Sequence, residues 1–153
     1  MDGAAVISKI EKAWSDFQSS YAGLSESEMM MPGVTGEWSV RDILAHVTWW
    51  EQEALKYLPV LLAGGKPPRY SVMYGGLDAF NALMTQKMND VPLEEVLREQ
   101  KSTHARLMKL LREAPEGEFE RETRFRRRLR FDTYHHYPVH TAAILKWREG
   151  RKT

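Results

Sequence analysis

The sequence predicts an all-α protein, a single domain folded as a four-helix bundle. Two observations carry this expectation. Apolar residues recur three and four positions apart along four long stretches, the period of a helix with one buried face. No stretch alternates apolar and polar residues between turn signals, as a half-buried strand would. The length agrees: 153 residues suit one core that buries about two-thirds of the unfolded surface, so one domain over residues 1–153 is expected, without internal repeats.

The first helix is marked by Val6, Ile10, Ala13, Trp14, Phe17 and Tyr21 and should stop at Gly23. Ser25 and Glu28 have the spacing of a short capping box, and Pro32, Gly33 and Gly36 mark a loop. In "WSVRDILAHVTWWEQEALKYLPVLLAGG", Ser39 and Asp42 are placed to cap a second helix. Ile43, Val47, Trp50, Ala54, Leu58 and Leu61 form its stripe, and Pro59 predicts a kink.

Residues 64–76 read as a Gly/Pro-rich connection. A third helical region opens near Leu77, breaks at Val91–Pro92 and resumes through Leu93, Val96, Leu97, Leu107, Leu110 and Leu111. Residues 115–131 read as a charged connection, and the last helix runs through Ile144 and Trp147 to Gly150. Four such helices pack as a bundle, and the connection between the second and third is long enough for a crossover that lets them run parallel.

Composition narrows the function. Twenty-two basic against twenty-one acidic side chains argue against broad attraction to nucleic acid or anionic membrane. The absence of cysteine excludes disulfides, thiolate metal sites and a catalytic thiol. No apolar run approaches the eighteen or so residues of a spanning helix, and the first residues lack a signal-peptide pattern, so a cytoplasmic protein is expected.

"DTYHHYPVHTAAILKWREG" carries three of the five histidines within six positions. His136 and His140 stand four apart, which stacks their rings on one helix face. His46 lies beside the stripe of the second helix and points at or near the bundle interior. Three imidazoles from facing helices can hold a divalent cation with coordination positions left open, as in catalytic sites. An interior histidine is more often a satisfied core residue, and a pair four apart arises readily by chance. Spacing alone leaves both readings open.

His135 points away from His136 and reads as a bystander, and His104 as a surface or boundary residue without a role. Pro138, between the paired histidines, should kink the last helix or move its regular start to near Tyr137. Asp42 and Asp132 are placed either to orient the rings or to cap helices. Trp49, Trp50, Glu53, Tyr134 and Tyr137 are candidates for a substrate pocket, each with an ordinary packing or solvated role as its alternative. No catalytic residue can be named. Residues 121–131, "RETRFRRRLRF", hold six arginines, read first as a solvated connection, then as an anion-steering patch, last as a nucleic-acid contact.

Taken together, "WSVRDILAHVTWWE", "DAFNALM", "PLEEVLREQKSTHARLMKLL" and "DTYHHYPVHTAAILKWRE" resemble the DinB/YfiT-like metalloenzyme superfamily, most nearly its ClbS/DfsB-like branch. The resemblance covers about residues 5–149. It implies an up-down-down-up bundle with a long crossover between the second and third helices, and a metal held by His46, His136 and His140. It further implies a metal-dependent hydrolase or thiol transferase acting on a small organic molecule. Neutral imidazoles suit zinc first, with nickel, iron and manganese compatible. The alternative is a ClbS-like self-resistance protein that binds or inactivates a reactive metabolite without metal. A small-molecule substrate, no membrane, no nucleic acid and a homodimer through helix faces complete the expectations.

Overall fold

In the computed structural model, which describes residues 1–152, helices α1 (Gly3–Tyr21), α2 (Glu26–Met29), α3 (Val40–Leu62), α4 (Tyr70–Met73) and α5 (Leu77–Met88) are followed by α6 (Leu93–Glu113), α7 (Gly117–Glu120), α8 (Arg124–Asp132) and α9 (Tyr137–Gly150). The described residues contain no strand, and a single bridge between Thr35 and Trp38 closes a tight turn. Gly36 sits in that turn at φ +57°, a conformation that costs other residues strain. Among the described residues no helix is long and apolar enough to cross a membrane.

Helices α1, α3, α6 and α9 form the bundle. Their directions follow from which residues meet. Lys9 in the first half of α1 lies over Tyr134, just before α9, and Arg148 near the end of α9 donates to Ser20 O and Ala22 O at the end of α1, so these two helices run parallel. Arg41 at the start of α3 donates to Met88 O and Val91 O just before α6, and Gln52 midway along α3 donates to Thr103 midway along α6, so these two also run in the same sense. Tyr21 bonds Gln100 while Glu11 pairs with Arg112, so α1 and α6 are antiparallel. The order is therefore up-down-down-up, and residues 63–92 form the long crossover, carrying α4 and α5.

Local signals hold where they are chemical. Ser25 with Glu28 and Ser39 with Asp42 both form reciprocal capping boxes, satisfying amide donors at the starts of α2 and α3. The first helix ends just before Gly23, which adopts φ +81°. Pro59 lies inside α3, which continues through it to Leu62. The predicted stripes enter one core: Val6, Ile10, Ile43, Val47, Leu58, Leu107 and Ile144 are all fully buried.

Residues 115–131 differ from the connection the sequence predicts. They form α7 and α8, and α8 packs along α3. Phe125 and Leu129, four apart, are almost completely buried, and each contributes about 1.5–3 kcal/mol by leaving water. That burial anchors a helix whose remaining residues are mostly arginine. Arg128 lies over Tyr57 and Phe131 against Trp50, and a few residues later His136 meets His46. So α8 climbs antiparallel along α3 and delivers α9 to the level of His46. It also covers a second face of α3, which is why residues 43–51 are buried all the way round.

Candidate metal centre and its cavity

Three ring nitrogens converge where α3 meets the start of α9. His46 Nε2 and His136 Nε2 are 3.0 Å apart, and His140 Nε2 is 3.0 Å from the same His136 atom. The ligand atoms of all three lie within 4.8 Å of one another, the one such cluster among the described residues. Pro138 makes this geometry rather than spoiling it. It occupies the first turn of α9, where its missing N–H costs nothing, and sets the regular start at Tyr137. His136 becomes the residue before the helix, and Thr133 O accepts both its N–H and that of Tyr137 at 2.8 Å. His140 follows one turn later, so the two rings close on a common point.

The rings are held neutral. Burial, then the charges of its two neighbours, lowers His46 to about 2. Burial and His140 lower His136 to about 3, and burial lowers His140 to about 4. Neutral imidazole is the form that ligates metals. A tetrahedral zinc with bonds of about 2.0–2.1 Å separates neighbouring nitrogens by about 3.3 Å, so the two observed contacts need to open by only a few tenths of an ångström. The trio fits a divalent cation. Nδ1 of all three rings is buried without a protein partner. Asp42 and Asp132 do not orient the rings: Asp42 caps α3 and pairs with Arg41, while Asp132 pairs with Arg128 at 2.6 Å. Trp38 instead tilts over His46 at 4.7 Å, and Trp49 meets it edge-on at 5.1 Å.

A cavity of about 500 Å³ opens beside His46 and His136. Trp50, Phe131 and Leu77 give it apolar walls, and Asn81, Asp78, His135, Arg127 and Arg130 supply polar groups. Of the pocket residues expected from sequence, Trp50 is a wall and Trp49 backs His46. Glu53 accepts a hydrogen bond from the Tyr70 hydroxyl, and Tyr134 borders the separate groove between α1 and α9. Tyr137 is fully buried and donates to Glu51 Oε2 at 2.9 Å.

That carboxyl group corrects the reading of His104. His104 Nδ1 lies 2.7 Å from Glu51 Oε2, and its ring stacks on Trp14 at 3.8 Å. Burial raises the pKa of fully buried Glu51 against the pull of His104 and Tyr137. His135, expected to be a bystander, lines the cavity. The helical period gives a signal for Arg127, Arg130 and Phe131, which share one face once 124–132 is read as a helix. Trp38 and Asn81 reach the site only through tertiary packing and leave no such trace.

The architecture defines an all-α bundle with a three-histidine cluster between two of its helices. Residues 9–143 match the DinB superfamily, and the chain belongs to it. Three solved structures share the fold. An uncharacterised protein from Escherichia coli UTI89 is 16% identical at a TM-score of 0.82, over 99% of this chain and 95% of that one. The colibactin self-resistance protein ClbS, solved in complex with a dsDNA, is 17% identical at 0.79, over 95% and 94%. DfsB, a sibling lethal factor precursor, is 14% identical at 0.83, over 100% and 98%. A comparison with curated protein sequences returned no match.

Proposed function

We propose that this chain is a cytoplasmic metal-dependent enzyme, of hydrolase or thiol transferase type, that acts on a small organic molecule. His46, His136 and His140 hold the cation, zinc first among zinc, nickel, iron and manganese. The observation that carries this reading is the convergence of three neutral Nε2 atoms beside an open cavity. A cation there supplies Lewis acidity toward a bound oxygen or sulfur.

The chain's own residues do the rest. Trp50 and Phe131 pack against an apolar part of the substrate and exclude water from it. His135, on the cavity wall outside the trio, is available to carry a proton. A second reading, a ClbS-like protein that captures a reactive metabolite without metal, is favoured by the same aromatic walls.

Elemental analysis separates the two. One equivalent of a divalent metal in purified protein, lost in His46→Ala and in the His136→Ala, His140→Ala double variant, supports the enzyme. Metal-free protein whose melting temperature rises with electrophilic small molecules supports capture.

A further inference from the structure

We infer that the cavity beside the histidine trio selects an organic oxyanion, a carboxylate or phosphate carried on an apolar or aromatic body. This rests on the reading of that cavity as the substrate site. The first support is Asn81. Its Oδ1 accepts the indole N–H of Trp50 at 2.9 Å and of Trp49 at 3.3 Å. An indole N–H can only donate, so these two bonds fix which end of the amide faces the tryptophans. The Asn81 Nδ2 group is therefore turned the other way, and none of its hydrogens meets a protein acceptor among the described residues. Asn81 lines the cavity, so the amide presents a preoriented donor there.

Arginine supplies the second support. Arg127 lines the cavity, and its guanidinium makes no hydrogen bond or ion pair among the described residues. Arg130 lines it too: its Nη2 is tied to Glu122, while its Nε is buried without a partner. Asp78 is the one carboxylate of the lining and Glu122 already pairs with Arg130, so the cationic donors left for a ligand are the Arg127 guanidinium and the Arg130 Nε. Three neutral imidazoles add no negative charge to offset a dication. Donors without acceptors, a guanidinium without an ion-pair partner at Arg127, and Trp50 edge-on to Phe131 at 5.8 Å together match an acceptor-rich anion with a flat apolar body.

The test uses benzoate, phenylphosphonate and neutral benzamide as probes. Each is titrated calorimetrically into chelator-treated protein and into protein carrying one equivalent of zinc. At least one anion should bind about tenfold or more tightly than benzamide, and which anion wins distinguishes carboxylate from phosphate. Asn81→Asp keeps an oxygen for both indoles but replaces the free donor with a repelling acceptor. It should weaken the preferred anion by about tenfold or more, as should Arg127→Gln with Arg130→Gln, while zinc affinity and melting temperature stay near wild type. Equal binding of anion and benzamide, no anion binding at about 10 mM, or variants that leave the preference intact would overturn the inference. So would tighter, steeply salt-dependent binding of a short DNA duplex, which would assign the arginines to a polymer. Anion selectivity without any zinc site would remove the metal reading and leave this one standing. Zinc binding without anion preference would do the reverse.

Discussion

A histidine in an unfolded chain takes up a proton near pH 6.5. In the folded protein His46, His136 and His140 resist it down to about 2, 3 and 4, chiefly because burial penalises the charged ring. The unfolded chain therefore binds more protons below pH 6.5, and the stability of metal-free protein falls as pH drops toward 4. The slope is about 1.4 kcal/mol per pH unit for each histidine that titrates. Asp132 acts in the opposite direction. Burial raises its carboxyl group to about 7 despite Arg128, so stability falls as pH rises from about 4 toward 7. Urea unfolding of chelator-treated protein from pH 4.5 to 7.5 should show both limbs. His46→Asn should flatten the acid limb and Asp132→Asn the neutral one. A wild-type stability that stays level from pH 6.5 to 4.5 would show that the trio is open to water.

Two elements carry the site. The N-terminus of α9 is tied to α3 through the Tyr137 hydroxyl on Glu51, flanked by the two α9-side histidines. Tyr137→Phe removes that donor from a buried carboxyl group, so denaturant titration should show a loss of about 1–3 kcal/mol. Zinc affinity should weaken with it as the start of α9 loosens. Helix α8 depends on Phe125 and Leu129, and Leu129→Ala should cost about 2–5 kcal/mol because its site lies inside close packing. An effect below about 0.5 kcal/mol would mean that α8 is only loosely attached. The same element shows what the sequence hides. Phe125, Leu129 and Phe131 are the three apolar residues among the six arginines of 121–131, so composition masks a helix that two buried side chains suffice to hold. The first three bundle helices were legible because four or more apolar residues repeat along each, and the last because Ile144 and Trp147 follow His140 at helical spacing. His136 and His140 were legible because their spacing is local. That His46 completes the trio was suggested by its place beside a stripe. Asn81 entered the site through the crossover, and no local pattern records where a crossover lands.

At the scale of the whole molecule, the up-down-down-up order puts the site where a long crossover and an added helix both cover α3. The crossover supplies Asn81 and Leu77, α8 supplies Arg127, Arg130 and Phe131, and the bundle supplies the histidines. Fold and site are thus coupled, and a ligand of the trio should stabilise the entire cooperative unit. Zinc at a hundred times its dissociation constant should add about 2.7 kcal/mol to the free energy of unfolding, and His140→Ala should remove the gain. The most direct measurement is X-ray absorption at the zinc edge on protein loaded with one equivalent. Three imidazole nitrogens at about 2.0–2.1 Å, reduced in His46→Ala, are the expected result. A zinc surrounded by oxygen alone, or a spectrum that His46→Ala leaves unchanged, would contradict a metal centre at these three residues.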